Sequence, residues 1–137
     1  MYQKDFILKM IEMIGDLIMG ILGLIKKGEF TKASTEIENT FQEFLKEDAS
    51  FFFSIPKEQL TDKLLNEHNY TNGHLEILAE LFFAQSELSL AKKNYAECLE
   101  FTEKALVLTE YVIKTSETYS LDKEARAELL KKRINDL

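Results

Sequence analysis

The run Phe82–Leu108, FFAQSELSLAKKNYAECLEFTEKALVL, constrains the fold of this chain more than any other stretch. Its apolar residues recur at three- and four-residue spacing on both sides of the polar turn Ala91–Asn94. That is the pattern of two amphipathic helices joined by a tight turn. Leu17–Leu45 repeats the layout in weaker form, with Lys26–Glu29 as its turn. Two helical hairpins are therefore expected, and the single Pro of the chain leaves them little interrupted.

Taken in order, the spacing predicts a first helix over residues 4–26, with Ile7, Ile14, Ile18, Ile21 and Ile25 on its buried stripe. Phe6, Met13 and Leu24 form a second apolar edge. Gly15, Gly20 and Gly23 lie inside this helix at about 1 kcal/mol each relative to Ala, which predicts close approach of another helix backbone. Gly28 is the C-terminal stop. A second helix runs from near Thr31 to about Lys46, with Ala33, Ile37, Thr40, Phe41 and Phe44 inward. The connector that follows carries Phe51, Phe52 and Phe53 in a row, then Ser54-Ile55-Pro56. Three adjacent aromatics cannot share one face, so one is expected to plug the core and another to reach a surface or subunit contact.

A short helix is expected over Pro56–Asn66, then the loop Glu67–Gly73, with Asn72 as N-cap of a helix over residues 73–92. The next helix runs from Tyr95 to about Thr118, with Phe101, Leu108 and Tyr111 as its second apolar edge. Ser120 or Asp122 caps a last helix, Lys123–Asn135. The fold class is all-α: antiparallel helical hairpins, five to six helices closing into a bundle. At 137 residues one domain is expected, divided into hairpin one (4–46), connector and short helix (47–72), hairpin two (73–118) and a C-terminal helix (121–137).

A net charge of −7 excludes non-specific nucleic-acid binding, which needs a basic surface to displace counterions. Lys9, Glu12 and Asp16 interrupt the apolar run Phe6–Ile25, so no membrane span is expected. Cys98 is the only cysteine; it can form no internal disulfide, and a reducing, cytoplasmic setting is expected. Its place among helical apolar residues makes it a small core residue.

Chemistry has few footholds. His68 and His74 are the only imidazoles and sit in or beside one loop, so both are expected to be solvent-exposed. Neither a zinc helix motif nor Glu-x-x-His occurs, and there is no phosphate-binding Gly loop or Ser-centred nucleophile motif. Glu97, Glu100 and Glu103 recur at three-residue spacing, as in all-helical nucleotide pyrophosphatases, and would need facing acids such as Glu76, Glu80 and Glu87 to hold a metal. Glu100 and Lys104 also make an ordinary surface pair one helical turn apart. No catalytic, cofactor-binding or metal-binding residue is assigned, and no cofactor is expected.

The hairpins align: Gly28-Glu29-Phe30-Thr31-Lys32-Ala33 falls on Lys93-Asn94-Tyr95-Ala96-Glu97-Cys98, an aromatic after the turn and a small residue three positions on. This layout resembles the tetratricopeptide repeat, with Tyr95, Cys98 and Ala105 on that motif's aromatic, small and small positions. The opening MYQKDFILKMIEMIGDLIMGILGL, with KKGEFTKA after it, looks like an uncharacterised family of small bacterial helical proteins with no established activity. The chain departs from the motif at Gln85 and Ser89, where large apolar residues are preferred, and at Glu110, where a Pro is usual. The resemblance implies a non-enzymatic protein-interaction scaffold. Too few repeats and surplus apolar edges add self-association, as a dimer, with an interface at Phe51, Phe52, Phe53, Phe101, Leu108 and Tyr111. Two alternatives are a carboxylate-metal hydrolase on the Glu97–Glu103 face and a small apolar-ligand carrier with a cavity lined by Phe82, Phe83 and the first helix.

Overall fold

The computed structural model describes the backbone of residues 2–137 and the side chains of residues 6–137. Among the described residues the chain is all-helical, with no strand. Seven helices form where the spacing predicts five to six: α1 (Tyr2–Lys26), α2 (Phe30–Thr40), α3 (Ala49–Phe53), α4 (Leu60–Asp62), α5 (Asn72–Ala91), α6 (Tyr95–Thr115) and α7 (Leu121–Asp136). The connector supplies the additional one, because the three phenylalanines coil into the turn that is α3. α2 runs on through a wider, π-type turn, Phe41–Leu45, and α4 is bracketed by a 3₁₀ turn, Lys57–Gln59, and a π-type turn, Lys63–Glu67.

The two hairpin turns are built alike. The amide of Glu29 donates to the carbonyl of Leu24 and that of Asn94 to Ser89, both at 2.9 Å; Gly28 donates to Ile25 and Lys93 to Leu90, both at 3.0 Å. Gly28 and Lys93 are both left-handed, at φ 79° and 63°. That conformation is easy for Gly and costs Lys about 1 kcal/mol or more. The alignment of Gly28 with Lys93 in the sequence is thus also an alignment of backbone bonds.

α5 is the central helix, packed against α6, α1 and α2, while α6 also carries α7. Its N-terminus is closed by a capping box in which Thr71, one residue before the expected Asn72, accepts from the His74 amide and His74 Nδ1 accepts from the Thr71 amide. A Cβ at Gly73 would strike the Ile7 side chain, so here α1 and α5 run close together. The glycines inside α1 behave otherwise. A Cβ added at Gly15, Gly20 or Gly23 meets nothing within 4 Å, so the expected backbone contact at these positions does not occur within one copy of the chain.

α6 ends at Thr115 rather than Thr118, and Ser120 caps α7 by accepting from the Lys123 amide. α7 buries only Ala127 and Leu130 fully. Its remaining hold on α5 is a ladder of ion pairs: Lys123–Glu76 at 3.3 Å, Arg126–Glu80 at 2.7 Å and Arg133–Glu87 at 2.9 Å. Both partners climb in residue number together, so α7 lies parallel to α5, with α6 antiparallel to each.

Candidate functional site: the groove between α1 and α7

The connector settles on α6 and decides which apolar residues remain open. Phe52 is fully buried against Phe41, ring centroids 5.4 Å apart. Phe53 turns toward Phe101 at 4.7 Å and Phe82 at 6.2 Å. Phe51, half-buried, stacks on His68 at 4.8 Å. Phe41 also meets Phe53 edge-on at 5.6 Å, and Phe51 meets Phe52 edge-on at 5.1 Å, so the three phenylalanines join one aromatic cluster with Phe41, Phe82 and Phe101. Lys104 fixes this arrangement: its ammonium donates to the Phe53 carbonyl at 2.6 Å, and Lys57 pairs with Glu103 at 2.9 Å.

This packing places every residue of the expected interface in or against the chain's own core. Phe101 is 5 % exposed and Leu108 fully buried, both in the chain's own core, as is Phe52; Phe51, Phe53 and Tyr111 are half-buried against it. At Phe101 the α6 edge is covered because Phe53 of α3 comes back over it, a long-range contact that helical periodicity does not encode.

The acids of the hydrolase reading are engaged with bases and caps. Glu76, Glu80 and Glu87 are tied to α7 as above. Glu103 holds Lys57, Glu100 lies 3.3 Å from Lys104, and Glu97 accepts from Ser89 at 2.9 Å and Asn94 at 3.0 Å. Ser89, out of place for the repeat motif, thus serves the turn. Among the described residues no group of three or more His, Cys, Asp or Glu is placed to hold a metal ion. The apolar cavity of the carrier reading is filled: Phe82 is enclosed by the rings of Phe41, Phe53 and Phe101, and Phe83 lies beneath Arg126, whose guanidinium is 3.7 Å from the ring centre.

Both imidazoles are half-buried rather than solvent-exposed. His68 lies 3.3 Å from the Glu47 carboxylate, and Tyr70 stacks on His74 at 4.6 Å. Burial lowers the His74 pKa below its ordinary value, in keeping with an Nδ1 that accepts a hydrogen bond. Burial, with the Glu47 carboxylate as the smaller cause, pushes the Tyr70 phenol up to about 12; the hydroxyl donates to the Leu45 carbonyl at 2.7 Å. Cys98 is fully buried, its sulfur 3.8 Å from the Thr102 hydroxyl.

Large apolar side chains stay open along α1 and α7. A groove of about 580 Å³ separates α1 from α7, walled by Gly15 and Met19 on one side and by Ala125 and Leu129 on the other. Glu76, Ala79, Glu80 and Val112 lie between the walls. The bundle expected to close stays parted here. Met19 is 73 % exposed, Leu8 52 %, Leu121 70 % and Leu129 43 %, large apolar side chains on α1 and α7 with no cover in the chain. Sequence periodicity missed this groove. The signal that could have found it is Met19 standing among Gly15, Gly20 and Gly23, off the main stripe of α1.

Comparison with protein-family models, with curated proteins and with solved structures gives no match for this chain. No helix among the described residues is long and apolar enough to cross a membrane.

Proposed function

We propose that this chain is a non-enzymatic, protein-binding helical scaffold that associates with itself, built from two tetratricopeptide-like hairpins with α7 laid on the second. Support for the repeat reading comes from the matched hairpin turns and from the parallel course of α5 and α7. The observation that carries the function is the groove between α1 and α7, whose apolar walls at Met19 and Leu129 have no partner within the chain. Exposed apolar walls beside a polar rim are the usual mark of a protein contact. The surface engaged is this groove rather than the α6 edge.

Static light scattering across a wide concentration range tests the self-association. A molar mass rising from 15.9 kDa toward twice that value is the expected outcome. A mass fixed at 15.9 kDa throughout would refute it.

A further inference from the structure

Resting on the self-association reading, we propose that the partner of α1 is α1 of a second copy, docked antiparallel about a two-fold axis that passes beside Met19. Five positions of α1 share one face: Glu12, Gly15, Met19, Gly23 and Lys26 fall within an arc of roughly 80° at 3.6 residues per turn. Met19 is 73 % exposed, Glu12 and Lys26 are exposed, and a Cβ at either glycine meets only open space. This face is largely open, with Gly23 half-buried, and its Gly15–Met19 part forms one wall of the groove opposite Ala125 and Leu129.

The order of these residues is self-complementary. Glu12 stands seven positions before Met19 and Lys26 seven after; Gly15 stands four before and Gly23 four after. A two-fold axis beside Met19 therefore sets Met19 against its own copy, each Glu12 against the partner's Lys26, and each Gly15 against the partner's Gly23. Two Glu–Lys pairs form, the helix dipoles oppose, and the glycines let the backbones approach to the short end of the usual 8–10 Å interaxial range. Parallel pairing would instead bring Glu12 to Glu12 and Lys26 to Lys26. Among the described residues neither Glu12 nor Lys26 has an ion-pair partner within the chain. The docked helix would also meet Leu129 across the groove, giving the exposed wall of α7 a cover. Charge order is what selects a second copy over a foreign helix, since no other sequence is bound to match it.

The test combines scattering with cross-linking and charge exchange in the full chain. In a Cys98→Ala background, Met19→Cys should form a covalent dimer under mild oxidation far faster than Glu38→Cys on the exposed surface of α2. Glu12→Lys and Lys26→Glu should each weaken the dimer about tenfold, two attractive pairs having become repulsive. The double variant E12K/K26E should restore it. Glu12, Met19, Lys26 and Glu38 are exposed, and far-ultraviolet circular dichroism of each variant, and of the Cys98→Ala background at its buried position, checks that helicity is kept. A wild-type dimer in which Met19→Cys links no faster than Glu38→Cys, or in which the double variant gains nothing over the single ones, would overturn the α1 pairing while self-association stood. A wild-type monomer at every concentration would remove both, and would leave the groove to a different protein.

Discussion

Lys104 owes its place to contacts from a distant part of the chain. Its side chain is 4 % exposed, yet its ammonium reaches the Phe53 carbonyl at 2.6 Å and the Glu100 carboxylate at 3.3 Å, with the Phe82 ring 5.9 Å away. A buried charge is tolerable only when so satisfied. Replacing Lys104 by Met keeps the stem's packing and removes the donor, so the Phe53 carbonyl is stranded. Urea unfolding should show a loss of about 1–3 kcal/mol; a loss within error would mean that water replaces the ammonium. The sequence offers the Glu100–Lys104 pair but not its burial, because Phe53 arrives from 51 residues away. Tyr70 gives a second expectation. Its folded pKa, about 12, lies above the ordinary 10, so its contribution is fully present below pH 10 and lost as pH rises toward 12. Tyr70→Phe has no proton to lose. At neutral pH it should be less stable by roughly 1 kcal/mol for the missing bond to Leu45. The gap to wild type should then narrow between pH 10 and 12 in urea melts at stepped pH, and a constant gap would contradict this reading.

At the scale of the helices, period and punctuation were legible. The bounds of α5 and α7 fall within two residues of what the spacing predicts, whereas α2 ends at Thr40 and reaches the expected end near Lys46 only through its π-type turn to Leu45; the turns at Gly28 and Lys93 fall where Gly and polar residues break the stripe. What was not legible is how an irregular connector packs. The Phe51–Phe53 run has no period, so its assignment to α3 and its burial on α6 depend on contacts with Phe41, Phe82 and Phe101. The meaning of the glycines in α1 was likewise hidden, since close approach and open exposure leave the same sequence mark. Gly20 separates the two. It is exposed, a Cβ there meets nothing within 4 Å, and it lies off the Glu12–Met19–Lys26 face. Gly20→Ala should stabilise the chain by about 1 kcal/mol through helix propensity alone, read as a higher midpoint in thermal or urea unfolding. A destabilised variant would show that another surface packs on Gly20 in solution.

For the whole molecule, the question is what holds the two outer helices, α1 and α7, beside α5 when the side between them is open. α7 relies on partly exposed ion pairs, each worth only about 0.2–1 kcal/mol, and on little buried apolar surface. α1 has a well-buried stripe at Ile14, Ile18 and Ile21 but keeps Met19 and Leu8 in water. A second copy in the groove would bind only the folded chain, so dimerisation and folding are linked by mass action. At a concentration one hundred times the dissociation constant, that linkage adds about 2.7 kcal/mol. For a chain of this length that corresponds to a rise in Tm of roughly 5–10 °C. Calorimetry over a hundredfold range of concentration should therefore show Tm climbing for the wild-type chain. Met19→Glu, which buries a carboxylate at the two-fold axis, should melt at one temperature throughout, equal to that of the wild type when most dilute. Because Met19 is 73 % exposed in the single chain, a lower Tm for the variant in the dilute limit would show that this side chain supports the fold itself, and the assignment of the α1 face to a second copy would lose its ground.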